Sequence, residues 1–146
     1  MDYLDAFLKE VLRLYPSIST LIRHTAKDDT FNGTRIPKGT RINIPILILH
    51  RSERYWDKPM ECLPERWMNP DQPPHSHPHA YLPFSHGPRN CIGYRFATYE
   101  AKLILAPLVR TFQFQLSPSM KDTEIKLRTQ LSLRSNAPIQ LRATAR

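Results

Sequence analysis

Leu4, Phe7, Leu8, Val11 and Leu12 recur three and four residues apart, which is one apolar stripe of an amphipathic helix. Asp2 and Asp5 suit its first turn. Pro16 predicts its end at Leu14 or Tyr15, because a proline disfavours the helical conformation in the residue before it. Glu10 and Arg13, three apart, share a face and can pair. The period then changes. Asn32-Gly33 is a hairpin turn signal between Thr30-Phe31 and Thr34-Arg35-Ile36, and Pro37-Lys38-Gly39 predicts a second turn into a strand over 40–44. Residues 45–49 read as a short helix or turn. From 52 to 86, prolines, aromatics and histidines replace any period, predicting an ordered coil. A second long helix is predicted from Ile92 to about Val109, with Phe96, Leu103 and Ile104 among its apolar contacts and Pro107 kinking or ending it. Short strands are predicted at 112–116, 125–133 and 139–141, the last two as a hairpin around Asn136-Ala137-Pro138. No repeat and no boundary interrupts residues 1–146, which read as part of a single α+β domain, mainly α.

Composition narrows the class. The 146 residues can bury a core, and 40% of them are apolar, with no run of membrane-span length. The acidic residues near Met1 are the opposite of a signal peptide's positive start. Two cysteines, Cys62 and Cys91, are too few for a disulfide framework and are expected to be reduced. Net charge is +8 and the pI about 9.8. The Lys and Arg residues are spread out, with no basic block or Arg/aromatic repeat, which argues against nucleic acid. A basic face towards an acidic protein or a lipid headgroup fits at least as well. The 14 prolines are about twice ordinary usage and cluster from Pro59 to Pro88.

The most specific stretch is Phe84-Ser-His-Gly-Pro-Arg-Asn-Cys91-Ile-Gly93. It sets Cys91 at the end of a Gly- and Pro-stiffened loop, just before a helical pattern, with the cation of Arg89 two residues away. A thiolate there would meet the N–H groups that open a helix, an arrangement suited to a sulfur bound to a metal. A lone cysteine is otherwise a small buried residue, and Cys62 is read in that way. His75, His77 and His79 alternate in an extended pattern that could hold zinc or copper on one side. Three histidines without a carboxylate or thiolate are an incomplete site, so adventitious metal or none is expected; His86 is given no role.

These motifs resemble the cytochrome P450 family of haem-thiolate monooxygenases. Phe84-x-x-Gly87-x-Arg89-x-Cys91-x-Gly93 is similar to the family's haem loop at all six defining positions. Glu10-x-x-Arg13 before Leu14-Tyr15-Pro16 is similar to its helix K. Pro64-Glu65-Arg66-Trp67 is similar to its meander, with Trp where Phe is commoner, and Phe96-Ala97-x-x-Glu100 to the helix after the cysteine. The resemblance implies a partial fold of that family: helix K, a small β-sheet, meander, cysteine loop, helix L and a C-terminal β-hairpin. It implies haem b (iron protoporphyrin IX) with Cys91 as axial ligand. Phe84 would cover the sulfur, Gly87 would supply an unusual backbone angle, and Gly93 would allow close approach to the porphyrin. Arg89, and Arg23 seven residues after Pro16, would each pair with a haem propionate. Glu10, Arg13 and Arg66 would form a buried ion-pair network that assembles the scaffold.

The resemblance further implies an apolar small-molecule substrate touched by residues 17–22 and 129–133, with Ile18, Leu21, Ile22 and Gln130 as contacts. Electrons would come from NADPH–cytochrome P450 reductase or another donor, with Arg95 and Lys102 contributing to a basic docking face. Beyond the haem ligand no catalytic residue is expected in this segment. The family's membrane anchor and its oxygen-handling central helix have no counterpart among these residues. An endoplasmic-reticulum membrane location is implied for an intact parent, reached through that anchor. The chain is therefore expected to be a truncated gene model, a pseudogene product or a fragment that binds haem weakly or not at all and does not turn over.

Overall fold

A computed structural model describes residues 1–120 and 123–146. Helix α1 spans Asp2–Leu14, with Asp2 and Asp5 in its first turn. It ends where Pro16 predicts, with the Tyr15 N–H closing on the Val11 carbonyl at 2.7 Å. Its buried face is not the apolar stripe. The fully covered residues are Ala6, Glu10, Arg13 and Leu14, at spacings of four, three and one, while Phe7 stays exposed. The helix therefore turns its ion pair inward and leaves its apolar stripe only partly covered.

Strand β1 (Leu21–His24) pairs antiparallel with β4 (Arg41–Ile44), and β2 (Asp29–Phe31) with β3 (Thr34–Ile36). Between β2 and β3, Asn32 and Gly33 take φ of 48° and 78°, the left-handed pair that a two-residue turn requires. The sequence pattern did not predict β1, whose alternation is too short to stand out. Helix α2 (Ile46–His50) buries Ile46 and His50. The coil that follows contains one 3-10 turn, Pro64–Trp67, and its Trp56 and Ala80 are buried in the small core with Ala6, Leu14 and Ile46.

Helix α3 spans Tyr94–Thr111 and runs four residues past Pro107. Pro107 removes its own N–H donor, and the Leu103 carbonyl it leaves free lies on an exposed stretch where water can serve it. Phe96, Leu103 and Ile104, expected to be packed, are 71%, 75% and 53% exposed. Strand β5 (Phe112–Leu116) pairs not with its neighbour but with β8 (Leu141–Ala145). The predicted strand 125–133 is a hairpin instead, β6 (Leu127–Thr129) against β7 (Leu133–Ser135). Its turn at 130–132 carries no Gly or Pro to announce it, and no hairpin forms around Asn136-Ala137-Pro138. The result is a mixed helix-and-sheet fold with four two-stranded ladders among the described residues, of which β5 follows directly on α3.

Candidate functional site

The densest group of polar contacts lies where α1 meets the coil. Glu10 and Arg13 are fully buried. Arg13 donates from Nε and Nη2 to the two Glu10 carboxylate oxygens at 2.9 and 2.7 Å. Its other N–H groups reach the carbonyls of His50, Pro59 and Glu61 at 2.9, 2.6 and 2.9 Å. Glu10 also accepts the Leu63 amide at 3.0 Å, Arg66 Nε at 3.0 Å and the Trp67 indole N–H at 2.8 Å. Burial alone would raise the Glu10 pKa, but the donors of Arg13, Leu63 and Trp67 outweigh it and hold the carboxyl below its ordinary value. The buried Trp56 ring lies 5.1 Å from the Arg13 guanidinium and 6.0 Å from that of Arg66.

Two members of this group were not singled out in the sequence. Trp67 appeared only as a variant meander residue, yet its N–H completes the Glu10 shell. His50, fully buried, accepts the Leu82 amide at Nε2 (2.8 Å), while its Nδ1 lies 3.2 Å from the Arg13 carbonyl. The meander motif contains Trp67 without giving it a partner, and no pattern marks His50. Only the return of the coil onto α1 reveals them.

The cysteine loop is built differently. The Cys91 N–H donates to the Phe84 carbonyl at 2.9 Å, and Asn90 N–H to the Gly87 carbonyl at 3.1 Å. A 3-10 turn, Gly87–Arg89, lies between them. Ser85 and Gly87 take φ of 65° and 79°, so Gly87 stands where a side chain would be strained; the same backbone at Ser85 was not foreseen. Cys91 is exposed, three residues ahead of α3. Phe84 is half-buried with its ring 6.3 Å from that of Tyr94. Arg89 is exposed and, among the described residues, forms no ion pair. Gly93 caps the start of α3, and a Cβ built on Gly87 or Gly93 would meet nothing within 4 Å. Arg23 comes to this loop from β1: its Nη2 reaches Ser85 Oγ at 3.4 Å across 62 residues of sequence.

The two segments expected to touch substrate also meet, because Leu133 N–H donates to the Ser17 carbonyl at 2.9 Å. Ile18, Ile22 and Gln130 are exposed there and Leu21 is half-covered. The histidines do not share one side. His75 turns inward with its ring 5.1 Å from Trp56, and burial lowers its pKa. His77 and His79 stay outside, with His86 next to His79 at 4.9 Å between rings. Among the described residues no group of three or more His, Cys, Asp or Glu could hold a metal ion. Cys62, read as buried, is exposed. Lys102 is ion-paired with Asp5 of α1 and mostly covered, so it is not a free docking cation; Arg95 remains exposed, with Nε on the Tyr94 hydroxyl at 2.9 Å.

The structure thus presents an exposed thiol on a loop closed by its own backbone, ahead of a long helix and apart from the buried ion-pair group. The family model described as Cytochrome P450 matches residues 1–143. The chain is 41% identical to cytochrome P450 3A17 of Cavia porcellus over all of its length and 29% of that relative's. It is 43% identical to cytochrome P450 3A16 of Mus musculus, with the same coverage. It is 38% identical to the probable cytochrome P450 4p3 of Drosophila melanogaster, covering 98% of this chain and 27% of that one. A solved structure, the crystal structure of cytochrome P450DA heme domain, superposes with a TM-score of 0.87 at 30% identity, over 98% of this chain and 31% of the other. The chain belongs to the cytochrome P450 family. It spans about three tenths of the length of these relatives. Among the described residues no helix is long and apolar enough to cross a membrane.

Proposed function

We propose that these residues form the thiolate side of a haem monooxygenase site, with Cys91 as the axial ligand of haem b. The observation that carries this reading is the cysteine loop: Cys91 is tied by its own N–H to Phe84 yet exposed, with Arg23 drawn to the same loop from β1. The residues fit the cofactor. A free thiol is the donor expected of a haem-thiolate centre. The open space beside Gly87 and Gly93 leaves room for a flat macrocycle. The guanidinium groups of Arg89 and Arg23 are donors of the kind that hold carboxylates such as propionates. When bound, haem would supply dioxygen activation and insertion of one oxygen atom into an apolar organic substrate.

The chain's own residues would orient and shield. Phe84 limits water beside the sulfur, and the Glu10, Arg13 and Arg66 network holds the meander on α1 so that the loop has a fixed base. Ile18, Leu21, Ile22 and Gln130 would contact substrate where residues 17–22 and 129–133 meet. A reductase of the NADPH–cytochrome P450 type would dock on a basic face that includes Arg95. An endoplasmic-reticulum membrane location fits the mammalian relatives.

A second reading is favoured by the exposure of Phe96, Leu103 and Ile104 on α3: the 146 residues alone bind haem weakly and turn over no substrate. One experiment separates the two. The chain is mixed with haemin, reduced with dithionite and exposed to carbon monoxide. The red-shifted Soret band of a thiolate-ligated haem, lost in Cys91→Ala, supports the ligand assignment. Retention of that band in Cys91→Ala would sink it, and no haem uptake by the wild-type chain would leave the second reading standing.

A further inference from the structure

We propose that His50 is a positioning residue for the cysteine loop, fixing the point at which the segment entering Phe84 leaves the unit of α1 and α2. The ring is fully buried and bonded at both nitrogens. An amide N–H can only donate, so the 2.8 Å contact from Leu82 makes Nε2 the lone-pair nitrogen. Nδ1 then carries the proton and donates to the Arg13 carbonyl at 3.2 Å. The imidazole is thus a rigid strut with a donor at one end and an acceptor at the other. It joins the last turn of α1 to a residue two positions before Phe84.

Neighbouring contacts set the strut. The His50 main-chain carbonyl accepts Arg13 Nη1 at 2.9 Å. The ring stacks on Tyr81 at 5.4 Å, and the Tyr81 hydroxyl donates to the Lys9 carbonyl at 3.1 Å. From Leu82 the bonds continue into the loop, with Ser85 N–H on the Leu82 carbonyl at 3.1 Å and Cys91 N–H on the Phe84 carbonyl at 2.9 Å. Arg13 therefore serves two ends of the molecule: its side chain anchors the meander, and its carbonyl, through His50, anchors the loop.

Three measurements on the full chain test this. In the wild type, long-range 1H–15N NMR should show the Nδ1–H tautomer at His50; the Nε2–H tautomer would overturn the strut. Among variants, His50→Gln can keep an acceptor near Leu82, and His50→Asn only the donor towards Arg13. Amide exchange should be roughly tenfold faster in His50→Asn than in His50→Gln, as for one lost hydrogen bond, and only over residues 82–91. Equal exchange in the two variants, or acceleration spread evenly through α1, would make His50 merely structural. The third readout rests on the reading of Cys91 as haem ligand: the thiolate Soret signature should persist in His50→Gln and be lost in His50→Asn. Persistence in both variants overturns the proposal. If the wild type takes up no haem, the cofactor reading fails by itself, and tautomer and exchange still decide the role of His50.

Discussion

The α1–meander knot and the cysteine loop lie in one chain, but their interactions are organised in opposite ways. In the knot, one buried carboxylate receives donors from Arg13, Leu63, Arg66 and Trp67, and one buried guanidinium uses its N–H groups on Glu10 and three carbonyls. In the loop, Cys91 and Arg89 are exposed, and the bonds that shape it are mainly backbone to backbone. The knot satisfies its charged groups within the chain, although the buried Trp56 indole N–H beside it has no partner among the described residues, whereas the loop presents its functional groups outward. A region that assembles a scaffold must close on itself, because a buried charge without a partner is costly. A region that receives a ligand must keep donors free.

The most severe way to break this comparison is Glu10→Gln. It leaves Arg13 and Arg66 without their carboxylate in a buried setting and should cost roughly 3–5 kcal/mol, read by urea denaturation of the haem-free chain. A cost below 1 kcal/mol would mean that the knot is no better satisfied than the surface.

The next largest effect is acid. Burial, with help from the Arg13 charge, lowers the His50 pKa from 6.5 to about 4, against the smaller opposing effect of its backbone hydrogen bond. The folded chain keeps His50 neutral while the unfolded chain protonates it below pH 6.5. Stability should therefore fall as pH drops from 6.5 to about 4, by about 3 kcal/mol, and this contribution should level off below. The facing groups are Arg13, Tyr81, Trp56 and, more distantly, His75. Glu10 and Asp5, whose pKa values are lowered from 4.5 and 3.8, begin to lose their contributions as pH falls through those ordinary values and continue to lose them below. Denaturation midpoints at pH 7 and 4.5 check the window, and in His50→Gln most of the loss between them should disappear, the remainder coming from His75, whose pKa burial also lowers.

Smaller again is Trp67→Phe, which removes one hydrogen bond to an ionised carboxylate and should cost about 2 kcal/mol. Comparison with Glu10→Gln in a double-mutant cycle should show strong coupling; additive costs would remove Trp67 from the knot. The least effect on stability is expected on the open side. Arg89→Ala and Leu103→Glu should each change stability by less than about 0.5 kcal/mol. Leu103→Glu should nonetheless reduce self-association in light scattering, since it breaks an exposed apolar stripe. A destabilisation of several kcal/mol in either variant would show that the loop and α3 are as closed as the knot.

Legibility followed the same division. Local signals were read correctly where local chemistry decides: Pro16 ended α1, Asn32-Gly33 made the hairpin, and the run after Cys91 made α3. The expectation about Cys62 failed because a cysteine's burial depends on what covers it. Phe96, Leu103 and Ile104, expected among the apolar contacts of α3, are exposed because an apolar helix pattern does not say whether anything lies against it. The strand at 125–133 was read through its turn because Gln130-Leu131-Ser132 holds no residue that forces one. Arg23 could be placed beside the loop only through resemblance, and the structure supplies the physical link in its reach to Ser85.

The sequence by itself determined the helices, the tight turn, the glycine at a positive φ and the presence of a cysteine loop of the cytochrome P450 type. Each depends on residues within a few positions of one another, where backbone sterics and hydrogen bonding act. The tertiary structure decided which face of α1 is buried, that β5 pairs with β8, that His75 turns inward, and that His50 joins Arg13 to Leu82. Those outcomes depend on contacts between residues far apart in the chain. Their energies come from desolvation and from pairing that exist only once the coil has folded back on the helix.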